Sequence, residues 1–83
     1  MESVERQVWV GNIPGEYTIE DVRAAVFDNK YALPYHVKLD WGPHDSKYAI
    51  LTFRTEGQAA ALRALEGVRD ALIWESGRYA VIK

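Results

Sequence analysis

Seven residues constrain this chain more than any others. KYAILTF, Lys47 to Phe53, alternates like a strand, yet both of its faces are largely apolar. Tyr48, Ile50 and Thr52 fall on one side, and Ala49, Leu51 and Phe53 on the other. A strand of this kind belongs inside a sheet, with one face on a core and the other in need of a reason. The chain has 83 residues and no cysteine. That length is enough for one domain, which hides only about two-thirds of the surface its unfolded chain exposes. The core must therefore be single, without help from a disulfide or a cysteine-held zinc ion.

The rest of the chain supplies partners for that strand. QVWVGNI, Gln7 to Ile13, alternates and predicts a first strand. PGEY follows as a turn, and Thr18 stands as a helix cap with Glu20 and Asp21 in the first turn. Ile19, Val22, Val26 and Phe27 recur at helical spacing, which predicts a helix from about Ile19 to Asn29. YHVKLDW, Tyr35 to Trp41, predicts a second strand with Val37, Leu39 and Trp41 facing the core. GPHDS turns the chain into KYAILTF. TEGQAAALRALEG then shows a capping box at Thr55 and Gln58, and a left-handed stop at Gly67. ALIWESGRYAVIK predicts a hairpin turning at Glu75, Ser76 and Gly77, then a strand from Arg78 to Lys83.

The expected fold is therefore α+β: a ferredoxin-like βαββαβ sandwich, with two helices on one face of a four-stranded antiparallel sheet. It should form a single domain over residues 1–83, monomeric when isolated and a module of a larger protein. The inner set is Val8, Val10, Ala49, Leu51 and Phe53, with Tyr79 and Val81 inside the last strand. The open face then carries Trp9, Tyr48, Ile50 and Ile82, bordered by His36, Lys38, Arg54 and Arg78, with Asp40 its one acid. Exposed apolar surface of this sort marks binding. Trp41 and Trp74 are expected to pack, Trp74 as cover for the end of the core.

These residues carry a resemblance that spans nearly the whole chain. VWVGNI, Val8 to Ile13, resembles the hexamer motif of the RNA recognition motif family. SKYAILTF, Ser46 to Phe53, resembles its octamer, and AAALRALEG is similar to the end of its second helix. The resemblance implies short single-stranded RNA bound on the open sheet by base stacking. Carried over by position, Trp9 stacks a base, Tyr48 packs on a sugar or base, and Ile50 stands where a second stacking aromatic is usual. Ser46 and Lys47 replace the octamer's leading basic residue and glycine. Lys38, Arg54, Arg78 and Lys83 would meet phosphates.

The net charge of −2 sets a competing expectation. Some members of the family hold a protein or peptide instead, one subgroup through an acidic first helix and an Arg-any-Phe motif. Glu16, Glu20, Asp21 and Asp28 match the acidic half, while GRYAV lacks the phenylalanine. The acylphosphatase family shares the element order, but GNIPGEY lacks its phosphate-cradling loop and is followed by acids. His36 and His44 lie on different elements, and three or four convergent ligands are needed for a metal. No enzyme, cofactor or metal is expected. No run approaches the roughly 20 apolar residues of a membrane span, and the start lacks a signal-peptide pattern. An intracellular setting, nuclear or cytoplasmic, is the expectation.

Overall fold

The computed structural model describes residues 4–74 and 77–83. After a short 3-10 turn at Val4–Arg6, the chain forms β1 (Gln7–Ile13), α1 (Ile19–Asp28), β2 (His36–Trp41), β3 (Lys47–Thr52), α2 (Glu56–Arg63) and β4 (Val81–Ile82). The strands make one antiparallel sheet in the order β2-β3-β1-β4. The strand with two apolar faces, β3, and its partner β1 take the two central places.

Helix α1 begins where the sequence predicts. Thr18 accepts from the Asp21 amide at 3.3 Å, and the Asp21 carboxylate accepts from the Thr18 amide at 2.8 Å. This reciprocal pair satisfies two amides that an α-helix leaves without partners at its start. At α2, Thr55 accepts from the Gln58 amide at 3.1 Å. The regular helix ends at Arg63, and Gly67 follows it at φ 81°.

One apolar cluster joins the two helices to all four strands. Val22, Ala25 and Val26 from α1 and Ala59 and Leu62 from α2 meet Val8, Val10, Ile13, Val37, Ala49, Leu51 and Ile82. Phe53 and Leu72 are fully buried among them. Trp74 closes one end, as expected, with its ring edge-to-face against Tyr17 at 5.7 Å between centroids.

Three expectations about direction are overturned. On α1, Phe27 is 64% exposed and Ile19 is also exposed. Each helical residue advances about 100°, so Phe27 lies one step past Val26 and clears the sheet. Trp41 is 58% exposed rather than packed. It is the last residue of an edge strand, and its ring lies against Gly15 with the Lys47 ammonium 5.0 Å from its centroid. The last strand has the opposite parity: Ala80 and Ile82 are buried, and Tyr79 and Val81 are exposed. Ile82 pairs with Val10 and Val81 with Gly11, and residues directly opposite in an antiparallel pair share a face. Because Val10 is in the core, Ile82 must be too.

This last strand is also shorter than expected. Only Val81–Ile82 is regular, although Ile73 bridges Tyr79, and Trp9 and Lys83 exchange backbone hydrogen bonds at 2.9 and 3.3 Å. Of the expected turn, Glu75 and Ser76 lie outside the described residues. Gly77 has φ 84°, and its amide donates to the Trp74 carbonyl at 2.8 Å.

Candidate nucleic-acid interface

The open face is organised by a bulge in β1. Between the pairs Val10–Ala49 and Ile13–Lys47, β1 advances three residues while β3 advances two. The extra residue lets Val10 and Ile13 both reach the core, which strict alternation forbids. Asn12 absorbs the kink at φ 61°, a left-handed conformation that Asn tolerates better than most residues. Its side-chain amide donates to the Tyr79 carbonyl at 2.6 Å, fixing the chain that leads into β4.

Trp9 projects from the middle of this strand. Its ring lies over Gly11: a Cβ there would sit 2.3 Å from Trp9 Cη2, well inside the 3.4 Å at which ordinary contact begins. Gly11 thus lets the indole lie down along the sheet. Tyr48, diagonally across on β3, runs nearly parallel to it, with 15° between planes and 6.0 Å between centroids. That separation is too long for face-to-face overlap, so the rings form an offset pair. Lys83 holds its ammonium 5.1 Å from the Trp9 ring centroid. Gly11→Ala is therefore expected to push the indole off the sheet while leaving the core in place. The Trp9 indole N–H resonance should move, with Trp41 and Trp74 as internal controls. An unmoved Trp9 signal would show that the ring does not depend on Gly11.

Beside the pair lies a shallow cleft of roughly 230 Å³. Trp9, Tyr48 and Val81 line it from the sheet, Asn12 from the bulge, and Pro43 and His44 from the β2–β3 loop. The loop is closed by the Gly42 amide donating to the Ser46 carbonyl at 2.8 Å, with His44 and Asp45 both left-handed. Asn12, Val81 and His44 were missed as lining residues by the sequence reading. Asn12 had a signal, since the hexamer resemblance included it, but its role as a bulge residue depends on the β1–β3 register.

The other expected site residues are spread around this centre. Ile50 is half-buried on the open face, between Trp9 on β1 and Lys38 on β2. Lys38 is exposed there. Arg54 lies just past the end of β3, with its guanidinium 6.0 Å from the Tyr35 ring centroid. Arg78 is exposed, but alternation gives it the parity of Ala80 and Ile82, so the structure does not bring it to Trp9. Lys47 turns to the other side and donates to the Tyr17 carbonyl at 3.0 Å. Thr52 has the open-face parity yet is buried, so the face is not accessible along all of β3. Asp40 accepts from the Trp41 amide at 2.8 Å.

Among the described residues no group of three or more His, Cys, Asp or Glu side chains could hold a metal ion, and no helix is long and apolar enough to cross a membrane. No protein-family model and no curated protein matches the chain.

Proposed function

We propose that this chain is a ferredoxin-like domain of the RNA recognition motif type, which binds short single-stranded RNA on the open face of its sheet. The element order, the sheet order β2-β3-β1-β4 and the single core support the fold reading. One observation carries the functional reading: the near-parallel Trp9 and Tyr48 rings lie on the open sheet beside a cleft, with a lysine ammonium over one of them. Aromatic faces of this kind accept any base, and each stack is worth about 1–3 kcal/mol. Ile50 adds apolar surface without a π-face, while Lys38, Lys83 and Arg54 supply positive charge for phosphates. The local surplus of cations at this face outweighs the net charge of −2, because screening limits distant charges to roughly 8 Å at physiological salt. No catalysis and no cofactor belong to this reading.

Titrating the domain with short oligonucleotide pools, followed by amide shifts, tests it. Shifts should cluster at Trp9, Tyr48 and Ile50 and weaken as salt is raised, with a log–log slope of about −0.7 per phosphate contacted. An absence of shifts at low salt with every pool would remove the RNA reading.

The second reading, a protein- or peptide-binding module, has its own support on the helical side. Phe27 is largely exposed at the end of α1, and Glu16, Glu20, Asp21 and Asp28 are exposed acids on and just before the same helix. Shifts confined to α1 on adding a peptide would favour it.

A further inference from the structure

The two edges of the sheet are not alike. Beside β4 the chain from Leu72 to Trp74 bonds back onto the approach to that strand. The Ala80 amide donates to the Leu72 carbonyl at 2.8 Å, and the Trp74 amide to the Arg78 carbonyl at 2.9 Å. β2 is the other edge, regular over six residues and free of proline. Among the described residues no strand or loop makes a backbone hydrogen bond to its outer side. A long bare edge of this kind is a template for another strand.

The register with β3 fixes which groups point outward. The Gly42 amide donates to the Ser46 carbonyl at 2.8 Å, and the pairs Asp40–Tyr48 and Lys38–Ile50 follow in alternate positions. Hydrogen-bonded and non-hydrogen-bonded pairs alternate along an antiparallel ladder. Lys38, Asp40 and Gly42 therefore direct their backbone groups to β3, and Val37, Leu39 and Trp41 turn theirs outward. The Trp41 amide agrees: it donates to Asp40 Oδ1 at 2.8 Å rather than to a strand.

We propose that the outer edge of β2 pairs antiparallel with β2 of a second copy, in the register that sets Leu39 opposite Leu39. The pairing does not depend on RNA. Charge selects the register. Outward-pointing residues must meet outward-pointing residues, so a slip of one residue is excluded. A slip of two residues sets Lys38 opposite itself in one direction and Asp40 opposite itself in the other. With Leu39 at the centre, Lys38 of each copy lies opposite Asp40 of the other. That is a non-hydrogen-bonded pair, where side chains approach most closely. Both side chains are exposed, and both lie on the open face. Val37 and Trp41 then form a hydrogen-bonded pair on the helical face, which covers a ring that is 58% exposed. Asp40 leaves the Trp41 amide for the lysine, and the amide passes to the Val37 carbonyl of the second copy. Residues Val37 to Trp41 give about six backbone hydrogen bonds in all. A lysine on an edge ordinarily keeps a second chain away; here the acid two residues on reverses its effect. The two-fold axis stands perpendicular to the sheet, so the two open faces join on one side and the helices lie on the other. The monomer expected from the sequence is then the dilute form.

Sedimentation velocity over a concentration series, with amide exchange at the same concentrations, tests the pairing. Association should rise with concentration, and the Val37 and Leu39 amides should become more protected while those of β4 do not change. Lys38→Glu and Asp40→Lys should each weaken association by at least about fivefold. The double variant Lys38→Glu with Asp40→Lys should restore it, because each reversed charge regains an opposite across the axis. A monomer at every concentration would overturn the proposal. So would association that the single reversals leave unchanged, or that the double variant fails to regain. Protection confined to β4 would place the contact at the other edge and overturn it as well.

Discussion

Trp9→Ala should leave the fold standing and, on the proposed RNA reading, cost about 1–3 kcal/mol of affinity, roughly fivefold to over a hundredfold. The fold survives because the side chain is only half-buried, on the side of the sheet away from the core. The backbone bonds that Trp9 exchanges with Lys83 do not depend on the indole. The proposed loss follows from the ring's central place among its neighbours: Gly11 lies beneath it, Tyr48 beside it, and Lys83 over it. Trp9→Phe should retain most of the binding, since a smaller π-face remains. Affinity measured alongside a thermal melt separates the two effects. An unchanged dissociation constant with an unchanged melt would place RNA somewhere other than this face, or nowhere on the domain.

The largest effect on stability is expected at Trp74. Its ring is 1% exposed and packs edge-to-face on Tyr17, closing the core where the chain returns towards β4. Truncating a buried Trp to Ala typically costs about 3–5 kcal/mol. Small domains have about 5–15 kcal/mol in total, so Trp74→Ala removes a large fraction. At about 4–8 °C per kcal/mol for a domain of this size, the melting midpoint should fall by at least roughly 12 °C. Trp74→Phe should cost much less. The indole N–H finds no acceptor among the described residues, so its removal forfeits no hydrogen bond and relieves a desolvated donor. A denaturant or thermal melt of both variants decides the matter. A loss below about 1 kcal/mol for Trp74→Ala would mean that this segment does not close the core, against the usual cost of such a cavity.

The places where sequence and structure disagree share a cause. In RYAVIK both parities are apolar, and Tyr79 with Val81 offers more apolar area than Ala80 with Ile82. Composition therefore favours the wrong face. The pairing of Ile82 with Val10 decides it, and that pairing is a contact between residues 72 positions apart. Trp41 and Phe27 each satisfy a local period and still lie outside the core, Phe27 because it sits one step of about 100° past Val26 and Trp41 because it is the last residue of an edge strand. Asn12 is the converse case. Its place in the motif was visible, but not the bulge that makes a left-handed residue useful there. Strand β1, by contrast, has only one apolar alternation around Trp9, and Val8 and Val10 inward with Trp9 outward agree with the structure as far as the bulge.

The sequence by itself determined the elements: the strand periods, the reciprocal cap at Thr18 and Asp21, the inner set of KYAILTF, and the exposure of Trp9 and Tyr48 on one face. These follow from steric and hydrogen-bonding preferences acting within a few residues. The tertiary structure decided which side of the last strand faces water, which apolar residues of α1 and β2 stay outside the core, and how the Trp9 and Tyr48 rings come to lie side by side. Those outcomes depend on register between distant strands and on where neighbouring elements stop, and no local pattern in a chain with apolar residues at both parities can specify them.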